Sequence, residues 1–78
     1  MIRHFERHVP EDNIARFYRL EVLPTLFGDW AVQRTWGRIG TFGRIRSERF
    51  ASLDAARAAA RTLAKARRRR GYVRLTGK

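Results

Sequence analysis

The chain has 78 residues, no cysteine, and 18 Lys+Arg against 7 Asp+Glu, for a formal net charge of +11. This length means one domain with a small core, roughly 60% of the unfolded surface being buried at such a size. A disulfide framework, a thiolate metal site and a membrane-spanning helix are excluded by composition, and the basic excess points to a polyanionic partner.

Sixteen of the eighteen cations are arginine. Arginine offers planar, bidentate contact to phosphate and stacks on flat rings, which suits nucleic acid. The opening "MIRHFERHVPEDN" has no apolar stretch of signal-peptide length. A cytoplasmic location is therefore expected.

Ile2 to Val9 is predicted as a short strand, and "PEDN" (10–13) as a turn. Arg16 to Leu23 alternates, with Tyr18, Leu20 and Val22 on one side and Arg19 and Glu21 on the other, the pattern of a half-buried strand. Pro24 to Asp29 reads as a loop whose Leu26 and Phe27 tuck against the rim of the core. Trp30 to Trp36 is the next strand. The stretch from Gly37 to Gly43 makes the reversal, and Arg44 to Phe50 returns as its partner.

Ser52 is placed to cap a helix, with Asp54 in its first turn. The helix runs to Arg70, and Gly71 supplies a left-handed C-cap. Leu53, Ala56, Ala60, Leu63 and Ala64 form its apolar stripe. Arg67 shares that angle and is expected to mark where the helix overruns the sheet. "YVRL" (72–75) reads as a short last strand or a packed tail, and "TGK" as a frayed end. The fold class is α+β, an antiparallel β-sheet of four to five strands with one α-helix packed across one face. It forms a single domain over 1–78, with its core at about 16–75 and an N-terminal strand at 2–9.

Catalysis finds little support, because the seven acids are scattered. His4 and His8 stand about 13 Å apart along a strand, too far to share a metal, and read as partly exposed. No glycine-rich loop follows a strand and opens a helix. No enzyme activity, cofactor or metal is expected.

Binding finds more. "RTWGRIGTFGRIR" (34–46) sets one tryptophan among three glycines and four arginines, with no acid. Arg34, Arg38, Arg44 and Arg46 flank the turn. On the helix, Arg57, Arg61, Lys65 and Arg68 form a single-signed stripe along about 16 Å of axis. A surface built for stability would mix in glutamates at i, i+4. The run Arg67 to Arg70, which includes Arg69, reads either as a solvated helix end or as a phosphate contact. Strand parity puts Trp36 with Trp30 and Val32, as a core residue. The neighbouring Arg34 and Arg38 share that parity and would be costly to bury, which favours an exposed ring. Both placements stay open on the residues alone.

"TWGRIG" (35–40) resembles the signature of the WGR domain. That domain occurs in poly(ADP-ribose) polymerases that sense DNA breaks and in bacterial proteins, some of them free-standing. The resemblance spans about 60 residues, taking in "RFYRLEV", the strand after Trp30, "RTWGRIG", and a basic helix end followed by Gly71 and Tyr72. It implies a sheet with one packed helix and a DNA-binding role. It also implies that Trp36 packs on a terminal nucleotide, that Arg38 contacts the backbone, and that Gly37 allows close approach. Neither a zinc finger nor a transferase domain is expected within these 78 residues.

The expected partner is duplex DNA bound through its sugar-phosphate backbone without sequence preference, with ends or nicks favoured and no membrane involved. If the chain is bacterial, the nucleoid is the place for it. Two alternatives stand beside this reading: a protein-interaction module docking an acidic partner, and an RNA binder.

Overall fold

Alternation along the strands decides which side of the sheet the helix covers. In a computed structural model, which describes residues 1–75, the chain forms β1 (Ile2–Val9), β2 (Ile14–Pro24), β3 (Trp30–Arg38), β4 (Arg44–Phe50), α1 (Leu53–Arg69) and β5 (Val73–Arg74). A short 3-10 turn, Pro10–Asp12, joins β1 to β2 and ends on Asn13 in the left-handed region. The expectation for 76–78 lies outside the described residues. The strands make one five-stranded sheet in the order β4-β3-β2-β1-β5, with every pairing antiparallel.

Tyr18 sits opposite Phe5 on one side and Trp36 on the other, and Val22 sits opposite Val32. These residues point to the same face, where Phe5, Tyr18, Leu20, Val22 and Val32 are buried under Ala56, Ala60 and Ala64 of α1. Alanine keeps the helix close to the sheet because it interposes only a methyl group. Trp30, Phe50, Leu53 and Leu63 pack around this centre. The Ser52 hydroxyl accepts the Ala55 N–H at 3.1 Å, and Asp54 lies in the first turn, as expected. The helix stops in a Schellman motif. Gly71 N–H donates to the Arg68 carbonyl and Tyr72 N–H to the Arg67 carbonyl, both at 3.1 Å, with Gly71 at φ +91°. That turn folds Tyr72 back into the core and starts β5 beside β1.

Two local expectations are corrected. Leu26 and Phe27 are 98% and 79% exposed rather than tucked against the core. The loop closes on itself instead, because Thr25 N–H donates to the Asp29 carbonyl at 3.0 Å and Phe27 N–H to the Thr25 hydroxyl at 3.1 Å. So tight a closure leaves the tip beyond the sheet's end, where the Arg49 guanidinium lies 5.2 Å from the Phe27 ring. Arg67 does not mark an overrun either. Its guanidinium sits 4.1 Å from the centre of the buried Tyr18 ring and 5.5 Å from that of Tyr72. The sheet therefore continues beneath the last helical turn, and a cation–π stack caps the core there.

Among the described residues, no helix covers the other sheet face. There Glu6 joins the two histidines, its carboxylate 3.1 Å from His4 Nε2 and 2.9 Å from His8 Nε2. His4 also stacks on Phe17. The hydrogen bonds from His8 and His4 hold the Glu6 carboxyl below the ordinary glutamate value.

Candidate nucleic-acid interface

The register of the sheet brings arginines together that are far apart in sequence. Arg7, Arg16 and Arg38 form one cross-strand row, and Arg34 pairs with Arg46 in another. Between these rows Tyr18, Trp36 and Arg44 stand side by side. Like charges directly opposite on a sheet destabilise it. Two such rows on one face therefore work against folding and call for an anionic partner.

A groove of about 580 Å³ opens at this end of the helix-bearing face. β2 contributes Arg16, β3 contributes Trp36, Gly37 and Arg38, and β4 contributes Arg44. Arg67 and Arg70 close it from the helix end, with Tyr72 behind them. Among the described residues, none lining it is an acid, a histidine, a serine or a cysteine. Its chemistry is that of an anion-binding surface with two aromatic rings.

Trp36 combines its two expected placements, core and exposed. It is half-buried, packed against the core on one side and lining the groove on the other. The Arg34 guanidinium lies 5.8 Å from its ring. Arg38 is oriented by the first turn, donating to the Asn13 backbone carbonyl and to Asn13 Oδ1, both at 3.3 Å.

The glycines have an internal reason to be small. A Cβ on Gly37 would lie 2.8 Å from Gly43 Cα. A Cβ on Gly43 would collide with the Trp36 carbonyl and lie 2.8 Å from Phe17 Cζ. The ladder also runs further than expected, through Gly37 and Arg38, which pair with Phe17 and Arg16.

The remaining candidates lie elsewhere. Arg46 is exposed on β4 beside Arg34. Arg57, Arg61, Lys65, Arg68 and Arg69 are all exposed on α1, outside the Trp36 groove. Arg61 and Arg68 instead line a separate depression of about 210 Å³, with Arg3 and Arg74 above Phe5, Ala60 and Ala64. Sequence reasoning missed Arg16 and Tyr72 as groove residues, and it did not single out Arg67 and Arg70 from the Arg67–Arg70 run. Gly71 was the available signal, since a Schellman turn carries the next residue back beneath the helix end.

An open antiparallel sheet with one helix and a basic, aromatic groove defines a small α+β module for binding anionic polymers. Its family is specific. The WGR domain model matches residues 1–78, and the chain belongs to the WGR domain family, a nucleic-acid-binding rather than catalytic module. An uncharacterized protein of Sinorhizobium fredii, y4dW, is 39% identical over 69 residues, which cover 88% of this chain and 34% of that protein. A crystal structure of a protein from Bacteroides fragilis superposes with a TM-score of 0.82 at 25% identity, over 97% of this chain and 20% of its own length. The chain thus spans about a third of the curated relative and a fifth of the crystallised protein. No helix among the described residues is long and apolar enough to cross a membrane. The same residues hold no cluster of three His, Cys, Asp or Glu that would bind a metal ion.

Proposed function

We propose that this domain binds duplex DNA through the sugar-phosphate backbone, without catalysis and without reading sequence. The observation that carries this is the convergence of Arg16, Arg38, Arg44, Arg67 and Arg70 around the half-buried Trp36, with no acid in the described lining. Phosphate contacts of this kind position a protein without reporting base identity. Trp36 offers an apolar face to a nucleotide whose sugar and base are uncovered, which makes ends and nicks the preferred form. Arg38, held by Asn13, is oriented for a phosphate.

About five phosphate contacts give an expected slope of about −4.5 in log K against log salt on random duplex. Replacing Arg44 and Arg70 by Gln should flatten that slope by about two. A wild-type slope near zero would sink the electrostatic reading. The pair Arg61→Ala and Lys65→Ala tests the helix flank. A further flattening by about two places that flank on the duplex, and an unchanged slope confines the interface to the groove. Gel shifts on linear, nicked and closed-circular DNA test the preference for ends, and duplex RNA as competitor tests the choice of nucleic acid.

A further inference from the structure

Phe42 is 99% exposed at the tip of the β3–β4 hairpin, whose base forms one wall of the groove. The turn that presents it is held. Thr41 donates both its N–H, at 3.1 Å, and its hydroxyl, at 2.8 Å, to the Arg38 carbonyl. Ile39 N–H donates to the Ala15 carbonyl at 2.9 Å, which ties the turn to β2. Gly40 and Gly43, at φ +95° and +76°, bracket the ring. The close approach of Gly43 to Gly37 and Trp36 then fixes the tip relative to the groove. Phe27, exposed at the other end of the sheet, has a guanidinium over its ring, whereas no ring or cation among the described residues stacks on Phe42.

We propose that Phe42 is a wedge that enters the base stack of duplex DNA at a nick or another weakened step. This rests on the duplex-binding reading above. The surroundings of the ring select a polyanion. Arg38 and Arg44 flank it along the chain, and no acid occurs between Arg34 and Arg46. Apolar side chains on basic surfaces unstack base steps in this manner, and the opening costs least where the duplex is already interrupted. The arginines hold the phosphates on either side, the rigid turn sets the ring's direction, and the nick lets two bases part. Trp36, in the groove lining, covers the sugar face while Phe42, on the hairpin tip, separates the bases.

The test uses the full chain and duplexes closed by loops at both ends, either intact or singly nicked, with 2-aminopurine beside the nick. Wild-type protein should raise the 2-aminopurine fluorescence at the nick as the base unstacks. Phe42→Ala should abolish that rise and weaken binding to the nicked form about tenfold, within the range for one aromatic–base stack. Its affinity for the intact form should change by less than about twofold, and Phe42→Trp should preserve both properties. The melting temperature of Phe42→Ala should match wild type, because the ring is almost wholly in solvent. A fluorescence rise that survives in Phe42→Ala, or equal losses on both DNA forms, would overturn the wedge. Wild-type binding to intact duplex with no rise on the nicked one defeats the wedge alone. No binding to either form defeats the duplex reading as well.

Discussion

Trp36 is one side chain divided between the core and the groove. Its inner edge packs on the core and its outer edge lines the groove. Trp36→Ala should therefore lower folding stability by about 2 kcal/mol, roughly half the loss for a fully buried tryptophan. It should also weaken binding to linear or nicked DNA by about 1–3 kcal/mol while sparing closed circles. Thermal melts run beside binding curves on the two DNA forms check both effects. A stable variant with equal losses on linear and circular DNA would remove the end-packing role. Strand parity was enough to place this ring on the helix-bearing face. Its exposure was not legible, because it depends on where α1 stops, and the stop places Arg67 and Tyr72 over Tyr18 rather than over Trp36. The stacking of Arg67 was hidden for a related reason. A charged residue at a core angle reads as an overrun until the ring beneath it is known.

At the scale of the element, the β3–β4 hairpin depends on which glycine does what. Gly40 takes φ +95° and has open space where a methyl group would stand, so Gly40→Ala should cost about 1 kcal/mol from backbone strain alone. Gly43→Ala adds a collision with the Trp36 carbonyl and with Phe17, and should cost about 3 kcal/mol while displacing the groove wall. Urea midpoints of the two variants decide the matter, and equal midpoints would refute the packing argument. The glycines marked a turn in the sequence, but their separate roles required the register. The same limit applied to the open face of β1. There "HFERH" contains the His4–Glu6–His8 bridge in plain alternation, yet spacing along the strand singles out only the histidines.

That bridge has a consequence for pH. Hydrogen bonds from His8 and His4 depress the Glu6 carboxyl below 4.5, and those from Thr25 and Arg49 depress Asp29 below 3.8. A depressed carboxyl stabilises the fold above its unfolded value and loses that contribution as pH falls through its folded value. Melting temperature should therefore drop as the pH is lowered from about 4.5, and Glu6→Gln should flatten the fall. A Glu6→Gln curve parallel to wild type would show that the bridge carries none of it.

Across the whole molecule, the net charge of +11 sets folding and binding against each other in their response to salt. Screening relieves repulsion within the arginine rows, so the free protein should melt at higher temperature as salt rises from low values. DNA affinity should fall over the same range. Melts with and without duplex should then converge at high salt, and parallel curves would argue against shared charges. The fold class and element order were legible because alternation, capping and turn residues agree along the chain. The groove was only partly legible, since it joins β2, β3, β4 and the helix end. The pairing of β5 with β1 has one more implication. Phe5 lies opposite Arg74, and Leu75 N–H donates to the His4 carbonyl at 2.8 Å, so the polypeptide enters and departs through adjacent strands on one margin of the sheet. Trp36 and Arg44 lie across the sheet from that margin, on β3 and β4. A domain threaded this way can hang from a longer protein by a single attachment point. In relatives where it makes up a third or a fifth of the chain, neighbouring segments can lengthen or be exchanged without crossing the Trp36 groove.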